Sequence, residues 1–192
     1  MTGRGVGYLD VGLPNLRGLF YTVFGVIVGF ALLVGAVVAI FTLDLPATQT
    51  TVVEFHNGER IAAETAGTDP TTLFVLIAGA VLLVGPAEEL LFRNVIQKYL
   101  TECLSTLSAI FLTSVLFSLA HLPLFYSPDP LITAAALAVA FGFSVVLGVA
   151  YTKTGTLIVP ALIHGLYDAI LIIALWSLLT GSAGALSIPL SA

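Results

Sequence analysis

An all-α bundle embedded in a lipid bilayer is the fold that this sequence predicts, and three observations predict it. Hydrophobic residues make up 58% of the 192 and charged residues only 9%, against the roughly 25% charged that a soluble domain carries. Mean hydropathy is +1.10. The apolar residues gather into five stretches, 19–41, 71–101, 105–122, 131–151 and 156–179, and a helix needs roughly 20 residues to cross a bilayer core. No stretch alternates with period two, and a run of this length in lipid satisfies its own backbone as a helix. The expectation is an integral membrane helical bundle with about five transmembrane helices.

The stretch 19–41 is too long for a signal-peptide core and no small-x-small cleavage pattern follows it, so it reads as a retained spanning helix. Next comes a polar segment, 44–70, carrying Asp44, Glu54, Glu59, Glu64 and Asp69. Within it, residues 50–55 suggest a short strand, and His56-Asn57-Gly58-Glu59 a turn. Gly85-Pro86 predicts a loosening or kink in the second apolar stretch, because proline lacks the N–H that the helix ladder needs. Three prolines between 123 and 130 end the third stretch, and Lys153-Thr154-Gly155 is a tight polar turn between the fourth and fifth. Two regions follow: 1–70, a transmembrane helix with a polar external loop, and 71–180, the transmembrane core.

The net charge of −5 comes with no basic run, so nucleic acid is not an expected partner. Cys103, the single cysteine, excludes an internal disulfide and a cysteine-rich metal site. Arg4, Arg17, Lys98 and Lys153 thread to one side and Arg60 to the other. The positive-inside rule then predicts a multi-pass protein of the cell membrane with a cytoplasmic N-terminus and an external C-terminus. Asp10 and Asp129 read as ordinary charges of a terminus and a loop, His56 as solvated, and Trp176 as part of an interfacial aromatic belt.

The chemistry-bearing signal is polar residues inside apolar helices. Ionisable groups at membrane depth are expensive and face the bundle interior or a water-filled cavity. Three clusters stand out: Glu88-Glu89 with Arg93, Phe117 with His121, and His164 with Asp168. Counting helical rise from the cytoplasmic ends puts Glu88 at roughly 21 Å, His121 at roughly 24 Å, His164 at roughly 12 Å and Asp168 at roughly 18 Å. All of these depths fall within a core about 30 Å thick. Glu89 and Arg93 share a helix face at i,i+4 and pair, whereas Glu88 points about 100° away and stays available to a cavity. His164 and Asp168 likewise present one polar face.

Peptide hydrolysis by an activated water fits this set. Glu88 takes the proton from a water that His121 helps to hold, and His164 and Asp168 stabilise the oxyanion or orient the scissile carbonyl. Phe117 reads as packing. A catalytic zinc on Glu88, His121 and His164 with one open position is the alternative. The sequence has no HExxH, so no cofactor is favoured. Nor does it hold a G-x-S-x-G, which leaves a serine-nucleophile elbow unsupported. Cys103 lies near the cytoplasmic surface, away from both histidines. Two other classes use buried carboxyls and imidazoles: a proton-coupled transporter, for which no inverted repeat is visible, and a non-catalytic immunity or interaction protein.

At these residues the chain resembles the CPBP family, the type II CAAX prenyl endopeptidases with their prokaryotic, bacteriocin-processing relatives. Glu88, Glu89 and Arg93 match the EExxxR motif, Phe117 and His121 match FxxxH, and His164 and Asp168 match HxxxN/D. Order and spacing agree, and the resemblance covers about 71–179. It implies an all-helical fold with a cavity open to membrane and cytosol. It implies an intramembrane endopeptidase, of a kind often named metalloprotease, whose partners are membrane lipid and a membrane-associated or lipidated, CAAX-like protein. It also implies that Glu88 activates water and that His164 with residue 168 forms the oxyanion site. Two positions depart from the pattern. Asp168 stands where many members carry Asn, and an Asp donates a hydrogen bond only when protonated. Asn94 follows Arg93 where Gly is frequent.

Overall fold

The structure, a computed structural model, describes residues 8–42 and 57–181; the expected strand at 50–55 and His56 lie outside them. Among the described residues there is no strand, and seven helices carry the fold. They are α1 (Leu16–Thr42), α2 (Asn57–Ala66), α3 (Pro70–Leu100), α4 (Thr106–Ala120), α5 (Leu122–Phe125), α6 (Pro130–Thr154) and α7 (Ile158–Leu179). Helices α1, α3, α6 and α7, of 27, 31, 25 and 22 residues, are long and apolar enough to cross a membrane. Their outward side chains, such as Phe20, Ile27, Leu82 and Leu83, are exposed, as lipid contact requires. This is an all-α membrane bundle.

The apolar stretch 105–122 yields a shorter element than a full span. Helix α4 has 15 residues, about 22 Å at 1.5 Å per residue, less than a core about 30 Å thick. Ser105 caps its start by accepting from the Ser108 N–H at 3.2 Å. Its end is fixed by Pro123, two residues beyond the C-cap His121. Because α4 stops early, His121 sits inside the bundle rather than at its far surface.

Other helix ends follow from local chemistry. Asp69 accepts from the N–H groups of Thr71 and Thr72, each at 3.1 Å, with Pro70 opening α3. Asp129 is no plain loop charge: it accepts from the Leu131 N–H at 2.8 Å and caps α6. Gly155, at φ 67°, ends α6 in the left-handed conformation that glycine adopts without strain. The turn at Lys153-Thr154-Gly155 is therefore as expected.

The predicted disturbance at Gly85-Pro86 takes the form of two π-wound stretches, Ala80–Val84 and Leu90–Gln97, on either side of an α-helical turn at Gly85–Glu89. Such widened windings are found preferentially at functional sites. Glycines let α3 and α7 cross there at backbone contact. A Cβ on Gly85 would lie 2.9 Å from the Gly165 nitrogen, and one on Gly165 would lie 2.7 Å from the Val81 Cα. This small-residue crossing presses the Glu88-Glu89 turn against His164. On the other side of α7, the core joins Phe143, Leu147 and Ala150 of α6 to Val159, Ile163, Tyr167 and Leu171 of α7, with α1 laid along the seam.

Two segments outside this core are built into it. The chain at 8–12 straps across the end of the bundle where α3, α6 and α7 meet, here termed the basal end. The Asp10 N–H donates to Asn94 Oδ1 at 3.0 Å, and the Leu157 N–H donates to the Asp10 carbonyl at 2.7 Å. The Thr156 hydroxyl donates to the Gly12 carbonyl at 2.7 Å. Asp10 also accepts from Lys98 Nζ at 2.8 Å and from the Tyr151 hydroxyl. It is thus a docked residue rather than a free terminal charge, and Asn94 is what receives the strap. The second segment is α2, in the stretch expected to be a loop. Asn57, Gly58 and Glu59 begin this helix instead of forming a turn. Ala63 and Ala66 are buried. The Trp176 indole, expected in an interfacial belt, donates to the Gly67 carbonyl at 2.7 Å.

Two outcomes are expected. Gly165→Val forces α3 away from α7 and removes about 1–3 kcal/mol of stability, read as a lower thermal midpoint in detergent. Burial pushes the Asp10 carboxyl up, but the bonds from Lys98 and Tyr151 and the Lys98 charge hold it below its ordinary value. A lowered carboxyl stabilises the fold above its unfolded pKa of about 4, and that contribution is lost as pH falls through the folded value. Asp10 is partly exposed, so solvent limits the contribution to at most about 1 kcal/mol. Asp10→Asn should speed amide exchange over 8–12 at neutral pH, with the difference from wild type shrinking below about pH 4.

Candidate active site

Three of the four spanning helices and the end of α4 converge on one polar cluster in the middle of the bundle. At its base lies Glu89, 0% exposed. Its Oε2 accepts from Arg93 Nε at 2.8 Å, one helical turn on, as the i,i+4 spacing predicts. Its Oε1 lies 3.1 Å from His164 Nδ1 on α7. A carboxylate only accepts, so Nδ1 is the protonated nitrogen of that contact. Arg93 is also 0% exposed; its Nη2 donates to Ser144 Oγ on α6 at 2.8 Å, and its guanidinium lies 5.5 Å from the Phe117 ring centroid. Glu89 is therefore engaged on both oxygens and enclosed.

Glu88 points to the other side of the helix, as expected. Its Oε2 faces His121 Nε2 at 3.4 Å. His121 is oriented by its other nitrogen: Nδ1 lies 2.8 Å from the Phe117 carbonyl, which only accepts, so Nδ1 carries a hydrogen. Phe117 and Phe125 stack on the imidazole at 4.3 and 5.6 Å. In neutral His121 the Nε2 lone pair then confronts a carboxylate oxygen, so a proton or a hydrogen-bonding water belongs between them. Glu88 Oε2 is buried without a hydrogen-bond partner, the situation that ordered water resolves in proteins.

His164 repeats the arrangement. With Nδ1 held by Glu89, its Nε2 faces Asp168 Oδ2 at 3.6 Å, one turn further along α7. A cavity of ≈ 40 Å³ is bounded by Phe117, His121, Phe143, His164, Tyr167 and Asp168, enough for a water, which needs about 10–15 Å³. On the far side Asp168 also lines a cavity of ≈ 680 Å³ between α2, α3 and α7. The structure thus brings together all seven residues singled out in the sequence: Glu88, Glu89, Arg93, Phe117, His121, His164 and Asp168.

Among the described residues, no group of three or more His, Cys, Asp or Glu side chains is disposed to hold a metal ion. Glu88 and His121 face each other, but His164 turns its two nitrogens to Glu89 and Asp168. Glu88, His121 and His164 are not drawn into one zinc cage in this geometry. Cys103 is exposed in the loop after α3, away from the cluster.

Sequence reasoning missed three contributors. Ser144 on α6, which receives Arg93, looks like any small residue of an apolar helix. Asn94, 0% exposed, is spent on the strap rather than the cluster. Glu59 lines the larger cavity with Asp168; its spacing to the buried Ala63 and Ala66 (i, i+4, i+7) is a helical face hidden in a polar segment.

Arg93→Ala should cost about 3–5 kcal/mol, because it leaves the Glu89 carboxylate buried and unpaired. Arg93→Lys should rescue little of this, since an ammonium does not reproduce the fork that spans Glu89 and Ser144. Thermal unfolding in detergent measures both.

No match is found among curated proteins or solved structures. The model of the family described as type II CAAX prenyl endopeptidase Rce1-like matches residues 70–170, more than half of the chain and the stretch that holds all seven cluster residues. The chain therefore belongs to the type II CAAX prenyl endopeptidase Rce1-like family and is an intramembrane protease.

Proposed function

We propose that this protease cleaves a peptide bond of a membrane-associated, lipidated protein with a water activated by Glu88, without a metal. One observation carries the reading. Two imidazoles each have Nδ1 tied to an acceptor and Nε2 turned to a carboxyl, Glu88 for His121 and Asp168 for His164, and both imidazoles border a space of ≈ 40 Å³. Water held between Glu88 and His121 attacks the scissile carbonyl carbon as Glu88 takes its proton. The carbonyl π electrons move to oxygen, and that oxyanion accepts from the protonated Nε2 of His164 or from Asp168 in its acid form. As the oxyanion collapses, the C–N bond breaks and Glu88 delivers the proton to the departing amine. Acid and free amine are the products.

Glu89 and Arg93 act through His164 in this reading. They fix its tautomer and ring plane, and as an enclosed pair they do not reach the substrate. Phe117 does the same for His121 through its carbonyl and its ring. Asp168 replaces the amide common in the family and serves as a donor only while it holds a proton. Arg17, Lys98 and Lys153 lie toward the basal end, which supports a cytoplasmic basal end and N-terminus in the cell membrane.

Cleavage of a quenched, membrane-anchored peptide library by purified protein in detergent tests the reading. Glu88→Gln should reduce turnover by at least about 10²-fold with unchanged thermal stability, and activity should survive a chelator. Loss of activity to the chelator, restored by zinc, would sink the metal-free reading.

A further inference from the structure

The ≈ 680 Å³ cavity beside the cluster is walled by Phe74, Val75, Leu82 and Leu83 of α3, by Ile172 of α7 and by Ala62 of α2. All its lining residues are apolar or glycine except two, Glu59 and Asp168. None of them is basic. Arg60, the one basic residue of α2, donates to Glu64 at 2.6 Å, one turn along the same helix. Asp168 is turned to His164.

The course of α2 explains how a carboxyl from the polar segment arrives there. Trp176 bonds Gly67, and eight residues earlier on each chain segment Asp168 and Glu59 line one cavity. The two segments therefore run side by side in the same direction. The first turn of α2 lies at the level of the active cluster, and its last turn lies at the far end of α7. Helix α2 precedes the residues 70–170 that match the family, so Glu59 lies outside the matched stretch.

We propose that Glu59 is a specificity-determining residue that selects substrates carrying a lysine or arginine beside the scissile bond. Resting on the protease reading, the inference follows from charge. Glu59 faces this apolar space, where a carboxylate is poorly solvated, and Asp168 adds the only other polar side-chain acceptor of the lining. A cationic side chain entering the cavity pairs with Glu59 and relieves that penalty, while its aliphatic stem packs on Leu82, Leu83 and Ile172. An acidic side chain in the same place sets a like charge against Glu59 and is rejected.

The test compares three anchored fluorogenic peptides that differ only in lysine, norleucine or glutamate beside the cleaved bond. Wild type should cleave the lysine peptide with a kcat/KM about tenfold above norleucine, and glutamate lowest. Glu59→Gln should collapse the lysine-to-norleucine ratio toward one, and Glu59→Lys should reverse the order in favour of glutamate. Equal cleavage of all three by wild type, or a uniform loss in Glu59→Gln that leaves the ratio intact, overturns the proposal. Binding of the same peptides to the Glu88→Gln protein in micelles separates this inference from the protease reading. If no peptide is cleaved, yet the lysine peptide binds tightest and loses that advantage in the Glu88→Gln, Glu59→Gln double variant, the selectivity stands and the hydrolysis fails. Absence of any lysine preference in binding overturns the selectivity as well.

Discussion

The buried carboxylate of Glu89 is the constraint on which the rest of this structure depends. A charge at 0% exposure within a membrane bundle persists only if it is paired and hydrogen-bonded. Arg93 supplies the counter-charge from the same helix, and His164 supplies the second contact from α7. Arg93, equally enclosed, must in turn spend its remaining donors, and Ser144 on α6 takes one. One carboxylate thereby ties together three helices that apolar packing alone, in a solvent of lipid tails, holds only loosely.

Everything that reaches the reacting groups is arranged around that tie. The glycine crossing of α3 and α7 lets the two backbones meet, which sets the Glu88-Glu89 turn and His164 at contact distance. The π-wound stretches on either side accommodate Pro86 without breaking the helix. The premature end of α4 delivers His121 to the same depth from the opposite direction. Fixed on Nδ1 by the Phe117 carbonyl and on its faces by two aromatic rings, His121 is left with one free atom, and that atom faces Glu88. Preorganisation of this kind allows charge to be stabilised without reorienting the surroundings.

Helix α2 and the strap at 8–12 lie outside the stretch that matches the family, and each modifies one end of the bundle. The strap occupies Asn94 and seals the basal end through Asp10, Lys98 and Tyr151. At the other end α2 narrows the way to Asp168 and brings a second carboxyl to it. Asn94 and Asp168 thus each meet a segment that lies outside the matched stretch. That pairing is visible only when the segments are seen in place.

Much of this was legible in the sequence, because membrane burial punishes every unneeded polar group. An Arg or a His inside an apolar stretch is informative in a way it never is on a soluble surface, and i,i+4 spacing alone joined Glu89 to Arg93 and His164 to Asp168. Helical rise put the carboxyls and imidazoles within the bilayer core, and the proline signals marked where α3 is disturbed and α4 ends. The tertiary structure decided what depends on contacts between distant segments. It set which oxygen of which glutamate meets which imidazole, enclosed Glu89 between Arg93 and His164, and shortened α4 below a full span. It also took Glu59 from a polar loop into the cavity. Local periodicity reports which face a residue occupies, whereas the partner of that face is fixed by helix crossings at single glycines, which leave no periodic trace in the chain.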